Sequence, residues 1–185
     1  MLIQIFKGKK RLFHKQYEIV VDNISEFKAK ILIGFFSPEI RILSIKGQRF
    51  ARIIKLFNDF KVECPRYDIV FRYHLNVRLT TVSLGHYKVF QENAVFEIIE
   101  QNDKLGIFSE SKQIGLINFK LNLTLDNPIY DLVIDTDLID KEVVVGFVLA
   151  YDNFFNKLFT TKNDINRQMR YNIDLNVDQN WTLKK

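Results

Sequence analysis

The chain has 185 residues, a formal net charge of +5 and 47% hydrophobic residues, with 17 Phe among them. This length is typical of one domain, and so apolar a composition excludes an intrinsically disordered chain. The single cysteine excludes an internal disulfide framework, and the 3 histidines lack the spacing of zinc ligands, so we expect no metal site and a reducing compartment. The first residues lack the charge order of a signal peptide, which predicts a cytoplasmic protein.

Short runs of alternating apolar and polar residues predict β-strands from residue 2 to about residue 134. Three such runs between residues 94 and 123, separated by polar turns, predict a meander. A tetrapeptide made of an aromatic residue, a polar or charged residue and two apolar residues recurs at irregular spacing. It begins at Tyr17, Tyr67, Tyr87, Phe96 and Tyr130. The recurrence predicts many strands of one closed sheet, each with an aromatic and an aliphatic side chain on the same face.

The positive charge lies in the first half of the chain. Residues 1–90 contain 17 Lys and Arg against 7 Asp and Glu, whereas residues 91–185 contain 10 against 15. Such an excess is typical of a surface that meets the phosphates of nucleic acid or anionic lipid, and dispersed, solvated charges are the alternative. Nucleic acid is the weaker candidate, because the aromatic residues fall on the apolar faces of the strands and are not placed to stack on bases.

The candidate anion-binding or lipid-binding residues are Arg72, His74 and Arg78, which alternate with apolar residues in one run. On a strand their side chains share one face, with about 6.6 Å from Arg72 to His74 and about 13 Å from His74 to Arg78. That spacing suits successive phosphates of a membrane surface or a polyanion. A solvated outer strand face is the alternative.

Residues 138–155 depart from the β pattern and predict one helix. Nine consecutive apolar or aromatic residues, 143–151, leave it no polar face, which is typical of a helix inside a protein or a membrane. Nine helical residues rise about 13.5 Å, whereas a bilayer core of about 30 Å needs roughly 20, so we expect no transmembrane segment. Asp135 and Asp137 are the predicted caps of the helix. A central strand is the alternative, because residues 143–145 are all Val.

The chain contains no pattern that indicates catalysis. Ser83 and His86 lack the glycines of a nucleophile elbow, Cys64 has no activating neighbour in sequence, and neither glycine-rich nucleotide-binding loop occurs. The aspartates between residues 126 and 140 lack the ligand spacing of an EF-hand. We therefore expect no cofactor and favour a non-enzymatic protein, with a scattered active site inside the fold as the remaining alternative.

The apolar segment belongs to a longer pattern, Asp-x-Asp-x-x-x-Lys-x-x-x-x-Gly, followed by apolar residues, an aspartate and two aromatics. The pattern is filled by Asp135, Asp137, Lys141, Gly146, Asp152, Phe154 and Phe155. Together with the short strands before one apolar helix, it resembles the tubby C-terminal-like superfamily, especially its phospholipid scramblase and LURP-one-related branches. The resemblance implies a mainly β (α+β) fold, a closed antiparallel β-barrel of about twelve strands around one central hydrophobic helix.

The resemblance covers residues 1–156, which would form the tubby-like barrel domain with the central helix at about 138–155. Residues 157–185 depart from it, because in those families the helix lies close to the end, and we expect them to form a polar C-terminal extension. Three apolar residues of the extension are spaced for an amphipathic helix that docks on the domain or on a partner; they are Ile165, Met169 and Ile173. Trp181, the only tryptophan, is either the anchor of that docking or part of a disordered terminus.

Two hypotheses of function follow. The leading one is a non-enzymatic binding module at an anionic phospholipid surface, in the cytoplasm and peripheral to a membrane, and phospholipid as the ligand is implied by the resemblance. The alternative is a protein-interaction module with no lipid affinity, which contacts a protein partner through the C-terminal extension. Salt separates the two, because phosphate contacts weaken with ionic strength whereas an apolar interface does not.

Overall fold

A computed structural model of the protein describes residues 1–8, 14–32, 39–44, 49–56, 59–63, 68–73, 86–91, 93–101, 104–120, 128–155 and 175–183. Within these ranges the chain forms twelve β-strands, then one α-helix and a π-helical turn. The strands are β1 (Leu2–Lys7), β2 (His14–Val21), β3 (Ile24–Leu32), β4 (Glu39–Ser44), β5 (Arg49–Leu56), β6 (Asp59–Glu63), β7 (Asp68–Tyr73), β8 (His86–Gln91), β9 (Ala94–Gln101), β10 (Lys104–Ser109), β11 (Lys112–Phe119) and β12 (Tyr130–Ile134). The helix is α1 (Lys141–Ala150), and the π turn is Tyr151–Phe155.

The strands pair antiparallel, each with its neighbours along the chain. β1 pairs with β2 on one side and with β12 on the other, so Ile3 lies opposite both Val21 and Leu132. The order of hydrogen-bonded strands therefore returns to its starting point. The predictions of a mainly β, antiparallel fold and of a meander, which runs through β9, β10 and β11, are confirmed.

The recurring tetrapeptide contributes pairs of aromatic and aliphatic residues to the core. In the four copies whose side chains are described, the first and third residues are both buried; these are Tyr17 and Ile19, Tyr87 and Val89, Phe96 and Ile98, and Tyr130 and Leu132. The predicted shared face is confirmed for these copies, while Tyr67 lies outside the described residues. Burying one such side chain stabilises the fold by roughly 1.5–3 kcal/mol.

Two tight turns connect the hairpins β2–β3 and β10–β11. Asp22 and Asn23 have φ values of 46° and 68°, and Glu110 and Ser111 have φ values of 47° and 68°. Positive φ at both central residues is the geometry of two-residue hairpin turns, because it matches the twist of the flanking strands. Asn and Asp tolerate this conformation better than other residues with a side chain, so the second turn carries more backbone strain than the first.

The helix predicted over residues 138–155 is present but begins later than expected. α1 begins at Lys141, because a turn over residues 136–139 precedes it. In that turn the Asp135 carbonyl oxygen accepts a hydrogen bond from the Ile139 N–H at 3.3 Å. A hydrogen-bonded turn therefore separates β12 from the start of the helix.

The predicted helix caps, Asp135 and Asp137, are wrong. The N-cap residue of α1 is Asp140, and no side chain makes a capping hydrogen bond there. The Asp135 carboxylate accepts instead from the N–H of Asp137 at 3.2 Å, within the preceding turn. The Asp140 carboxylate accepts from Nε2 of Gln91 at 3.0 Å and so ties the start of the helix to β8.

The helix has no polar face from residue 143 to residue 150, as the sequence predicts. All eight of these residues are buried, and all except Gly146 belong to the same apolar cluster as the buried faces of the strands. Val144, Val148 and Leu149 have 0% exposure. Among the helices that the structure describes, none is both long enough and apolar enough to cross a membrane.

The described end of the C-terminal extension, residues 175–183, lies against the outer face of β9–β11. Trp181 and Leu175 are partly buried there, and Val177 is buried. Trp181 thus packs on the domain, which is the first of the two alternatives that the sequence left open. The residues of the predicted amphipathic helix, Ile165, Met169 and Ile173, lie outside the described residues.

Candidate functional site

The predicted anion-binding residues are described only in part. Arg72 lies in β7, opposite Asp59 of β6 and opposite Lys88 of β8. His74 and Arg78 lie outside the described residues. The structure therefore gives Arg72 one acidic and one basic neighbour across the sheet.

A second acidic group, Glu97, lies on β9, two strands from Arg72. Lys88 Nζ lies 3.4 Å from Glu97 Oε1, and His86 Nε2 lies 3.0 Å from Glu97 Oε2. In the row that runs from β6 to β9 at this register, Arg72 and Lys88 are neighbours and one acidic residue flanks them on each side, Asp59 and Glu97. The flanking carboxylates lower the positive potential of the two cations, so a phosphate at Lys88 would meet Glu97 as well.

A second set of basic residues occupies β3–β5, and its pairing is not visible in the sequence. Lys30 lies directly opposite Arg41 across β3 and β4, and Arg41 lies directly opposite Arg52 across β4 and β5. The side chains of Lys30 and Arg41 are exposed, as is that of Lys28. We call Lys28, Lys30, Arg41 and the register position of Arg52 the basic face.

The aliphatic residues beside these cations turn them outward. Ala29 separates the two lysines of β3, and Ile40 and Ile42 flank Arg41. All three apolar side chains have 0% exposure. Because successive side chains of a strand point to opposite faces of the sheet, the buried aliphatics require the basic residues to face solvent.

The basic face brings like charges close together. Directly opposite residues of an antiparallel pair have Cβ atoms about 4.5–5.5 Å apart, and like charges at that separation destabilise the pair. Acidic residues border the face at its edges, where Glu18 lies opposite Lys28 and Glu63 lies opposite Arg52. Lys30 and Arg41 lie between these two edges.

A buried polar cluster lies where the π turn meets the strands. The Tyr17 hydroxyl donates to Asp152 Oδ2 at 2.5 Å, and the Tyr130 hydroxyl donates to Asp152 Oδ1 at 2.7 Å. All three residues are buried. Burial, followed by the charge of the nearby Asp152 carboxylate, raises the pKa of Tyr17 well above its ordinary value. Each carboxylate oxygen has a phenol partner, which is how a buried charge is tolerated.

Asn153 continues this cluster along the helix end. Its Oδ1 accepts from Lys15 Nζ at 3.2 Å, and its Nδ2 donates to the Leu149 carbonyl at 2.7 Å. In a regular α-helix that carbonyl accepts the backbone N–H four residues later, and the helix changes to a π turn at Tyr151. The contacts of the cluster join β2, β12 and the helix end, so they fix the position of the helix.

No group of three or more His, Cys, Asp and Glu residues within the described ranges is arranged to hold a metal ion. Comparison with known proteins adds no assignment, since no family model, curated protein or solved structure matches the chain. The basic face places exposed cations on adjacent strands, an arrangement whose chemistry suits an anion.

Proposed function

We propose that the closed order of strands is a β-barrel of the tubby C-terminal-like kind, with α1 as its central helix, residues 1–156 as its domain and residues 157–185 as an extension. The pairing of β1 with β12 supports closure. The apolar cluster that α1 shares with the inner strand faces supports a central helix. The family rests on the scramblase-like pattern, whose last aspartate, Asp152, is held by tyrosines of β2 and β12.

We further propose that the protein is a non-enzymatic module that binds anionic phospholipid surfaces through the basic face, as a peripheral membrane protein of the cytoplasm. The observation that carries this proposal is the direct opposition of Lys30 and Arg41 at exposed positions of adjacent strands. Exposed cations so placed give this part of the sheet a positive potential, which favours a polyanionic ligand. Cations on adjacent strands of a sheet face can contact several anionic headgroups of a membrane surface at the same time.

The expected membrane affinity is modest and depends on salt. Each Lys or Arg near an anionic membrane surface contributes about 1 kcal/mol, so the three exposed cations contribute roughly 3 kcal/mol, or on the order of a hundredfold in partitioning. The attraction decays over a Debye length, which is about 8 Å at physiological ionic strength and about 3 Å at 1 M salt. Near-molar salt should therefore release the protein from the membrane.

Liposome flotation tests the proposal. The purified protein is mixed with vesicles of phosphatidylcholine alone or with added phosphatidylserine, each at low and at near-molar salt. We expect flotation with the anionic vesicles at low salt and in no other condition. Flotation that resists salt or occurs with neutral vesicles would point to apolar insertion and contradict the proposal. The absence of flotation throughout would also contradict it and favour a protein-interaction module that uses the C-terminal extension.

A further inference from the structure

A second apolar cluster lies on the outside of β9–β11. Ile99, Phe108 and Leu116 are buried there, although the residue next to each of them in sequence, Ile98, Ile107 or Ile117, belongs to the main core. Because neighbouring strand residues point to opposite faces, these three side chains lie on the outer face of the sheet. An apolar outer face of this kind is typical of a binding surface.

The surface contains a pocket at Gly106, which has no side chain to fill the space there. A Cβ atom added at Gly106 would lie 2.9 Å from Val177 Cγ2 and 2.8 Å from Cε2 of Phe108. Contacts below 3.0 Å do not occur between real side chains at rest, so only glycine leaves room for Val177 at this point of β10. Val177 is 6% exposed. The glycine thus creates a site for one aliphatic side chain.

Polar side chains at the rim of the pocket bind the backbone of the segment that occupies it. The Val177 N–H donates to Gln101 Oε1 at 2.9 Å, and the Asp178 N–H donates to Gln113 Oε1 at 2.8 Å. Lys104 Nζ donates to the carbonyl of Gln179 at 2.6 Å. These three hydrogen bonds come from side chains of β9, β10 and β11. They bind main-chain atoms, so they do not depend on the side chains of the bound segment.

The bound segment also has its own local shape. Asp178 Oδ1 accepts from the Asn180 N–H at 2.9 Å, and the Asp178 carbonyl accepts from the Trp181 N–H at 3.2 Å. This turn brings Trp181 back to the apolar cluster, four residues after Val177. Backbone hydrogen bonds combined with a side-chain pocket are the general features of a peptide-recognition site.

We infer that the outer face of β9–β11 is a peptide-binding site, and that residues 175–181 are its ligand in cis. The ligand is a segment with the pattern Leu-x-Val, then an Asp turn that returns a tryptophan to the same surface. A ligand on the same chain has an effective concentration on the order of millimolar. A free peptide of this pattern, or the same segment of a second molecule, therefore binds only when the resident segment is released. The inference does not depend on lipid binding.

The experiment uses the full chain with Val177→Asp, which places a charge in the pocket and releases the segment, and Asn176→Asp as the matched control at an exposed neighbouring position. Trp181 is the only tryptophan, so its fluorescence reports on the segment alone. We expect a red-shifted emission and stronger acrylamide quenching in the first variant and no change in the second. Unchanged emission in Val177→Asp would overturn the inference.

A dye-labelled peptide of residues 174–183 then tests the emptied site by fluorescence anisotropy. We expect it to bind the Val177→Asp chain at least tenfold more tightly than the unaltered chain. The same peptide with Asp at the valine position, and the intact peptide added to a Val177→Asp, Gln113→Ala chain, should bind at least tenfold more weakly. Circular dichroism establishes that each variant is folded. Equal binding of the two peptides, or no binding to the folded Val177→Asp chain up to millimolar concentration, would overturn the inference.

Discussion

Tyr17 of β2 and Asp152 of the π turn are joined by a hydrogen bond of 2.5 Å between residues 135 positions apart in sequence. Tyr130 of β12 binds the other oxygen of the same carboxylate. Since β1 lies between β2 and β12 in the sheet, the two phenols bind the helix end to the strands on both sides of β1. This relationship explains why an aspartate is buried at the end of an otherwise apolar helix.

Replacing Tyr17 by Phe should lower the free energy of unfolding by roughly 2 kcal/mol, because a buried hydrogen bond to a charged group is lost while the carboxylate stays buried. Urea denaturation followed by circular dichroism measures the change. Ser25→Ala is the control, since its hydroxyl bonds to Glu18 at an exposed position, and it should change the stability by less than about 0.5 kcal/mol. Equal effects of the two substitutions would contradict a role for the buried cluster.

The raised pKa of Tyr17 predicts a loss of stability at alkaline pH. The folded state keeps the phenol protonated above pH 10, whereas the unfolded state, with an ordinary pKa of about 10, loses the proton. The stabilisation is therefore complete below about pH 10 and decreases above it by about 1.4 kcal/mol per pH unit. Other groups titrate in this range in both proteins, so the readout is the difference between the unaltered chain and Tyr17→Phe from pH 8 to pH 11. A difference that is constant with pH would refute this prediction.

Val145→Asp should prevent soluble folding, because Val145 is 1% exposed and lies in the core around α1. A buried charge without a partner costs several kcal/mol, which approaches the whole stability of a domain. Val95→Asp is the matched control, since Val95 lies at a strand position with 44% exposure. Soluble yield and the thermal melt measure both variants. A soluble Val145→Asp protein with a cooperative melt would mean that the helix is not central.

Deleting residues 157–185 should leave a folded domain with reduced stability. The deletion removes Val177 and exposes Ile99, Phe108 and Leu116, for which we expect a loss of about 3 kcal/mol. For a domain of this size that loss corresponds to a melting temperature roughly 6–12 °C lower. The dye ANS should also bind more strongly. An unchanged melting temperature would contradict the packing of the extension, and a lost transition would make the extension part of the core.

Local sequence patterns predict much of this fold because burial alternates along single strands and helices. Burial can be predicted for the tetrapeptide that begins at Tyr87 and for the apolar run of α1, because all residues of each pattern lie close together in sequence. The prediction that Asp135 and Asp137 cap the helix is wrong because aspartate is favoured both in turns and at helix N-caps. Which of the two roles an aspartate takes depends on where the chain reverses.

The candidate sites depend on contacts between distant residues, and so the sequence could not predict them. Lys30 and Arg41 are each visible as a cation beside aliphatic residues, but their direct opposition requires the register of β3 and β4. In the same way, the pocket at Gly106 becomes visible only when Val177 is placed over it, 71 positions later in sequence. A signal that could have suggested the basic face is the alternation of cations with aliphatic residues on two consecutive runs.

The central claim is that the basic face, and not the net charge of the protein, binds anionic membranes. The most direct measurement compares Lys30→Glu with Lys112→Glu by flotation with phosphatidylserine vesicles, because both lysines are exposed on strands and both substitutions change the net charge equally. Replacing Lys by Glu changes the charge by two units, and at about 1 kcal/mol per unit we expect Lys30→Glu to weaken binding on the order of thirtyfold. Lys112 lies on β11, away from the basic face, so we expect Lys112→Glu to weaken binding by less than about threefold. Equal losses for the two variants, or full binding by Lys30→Glu, would contradict the claim.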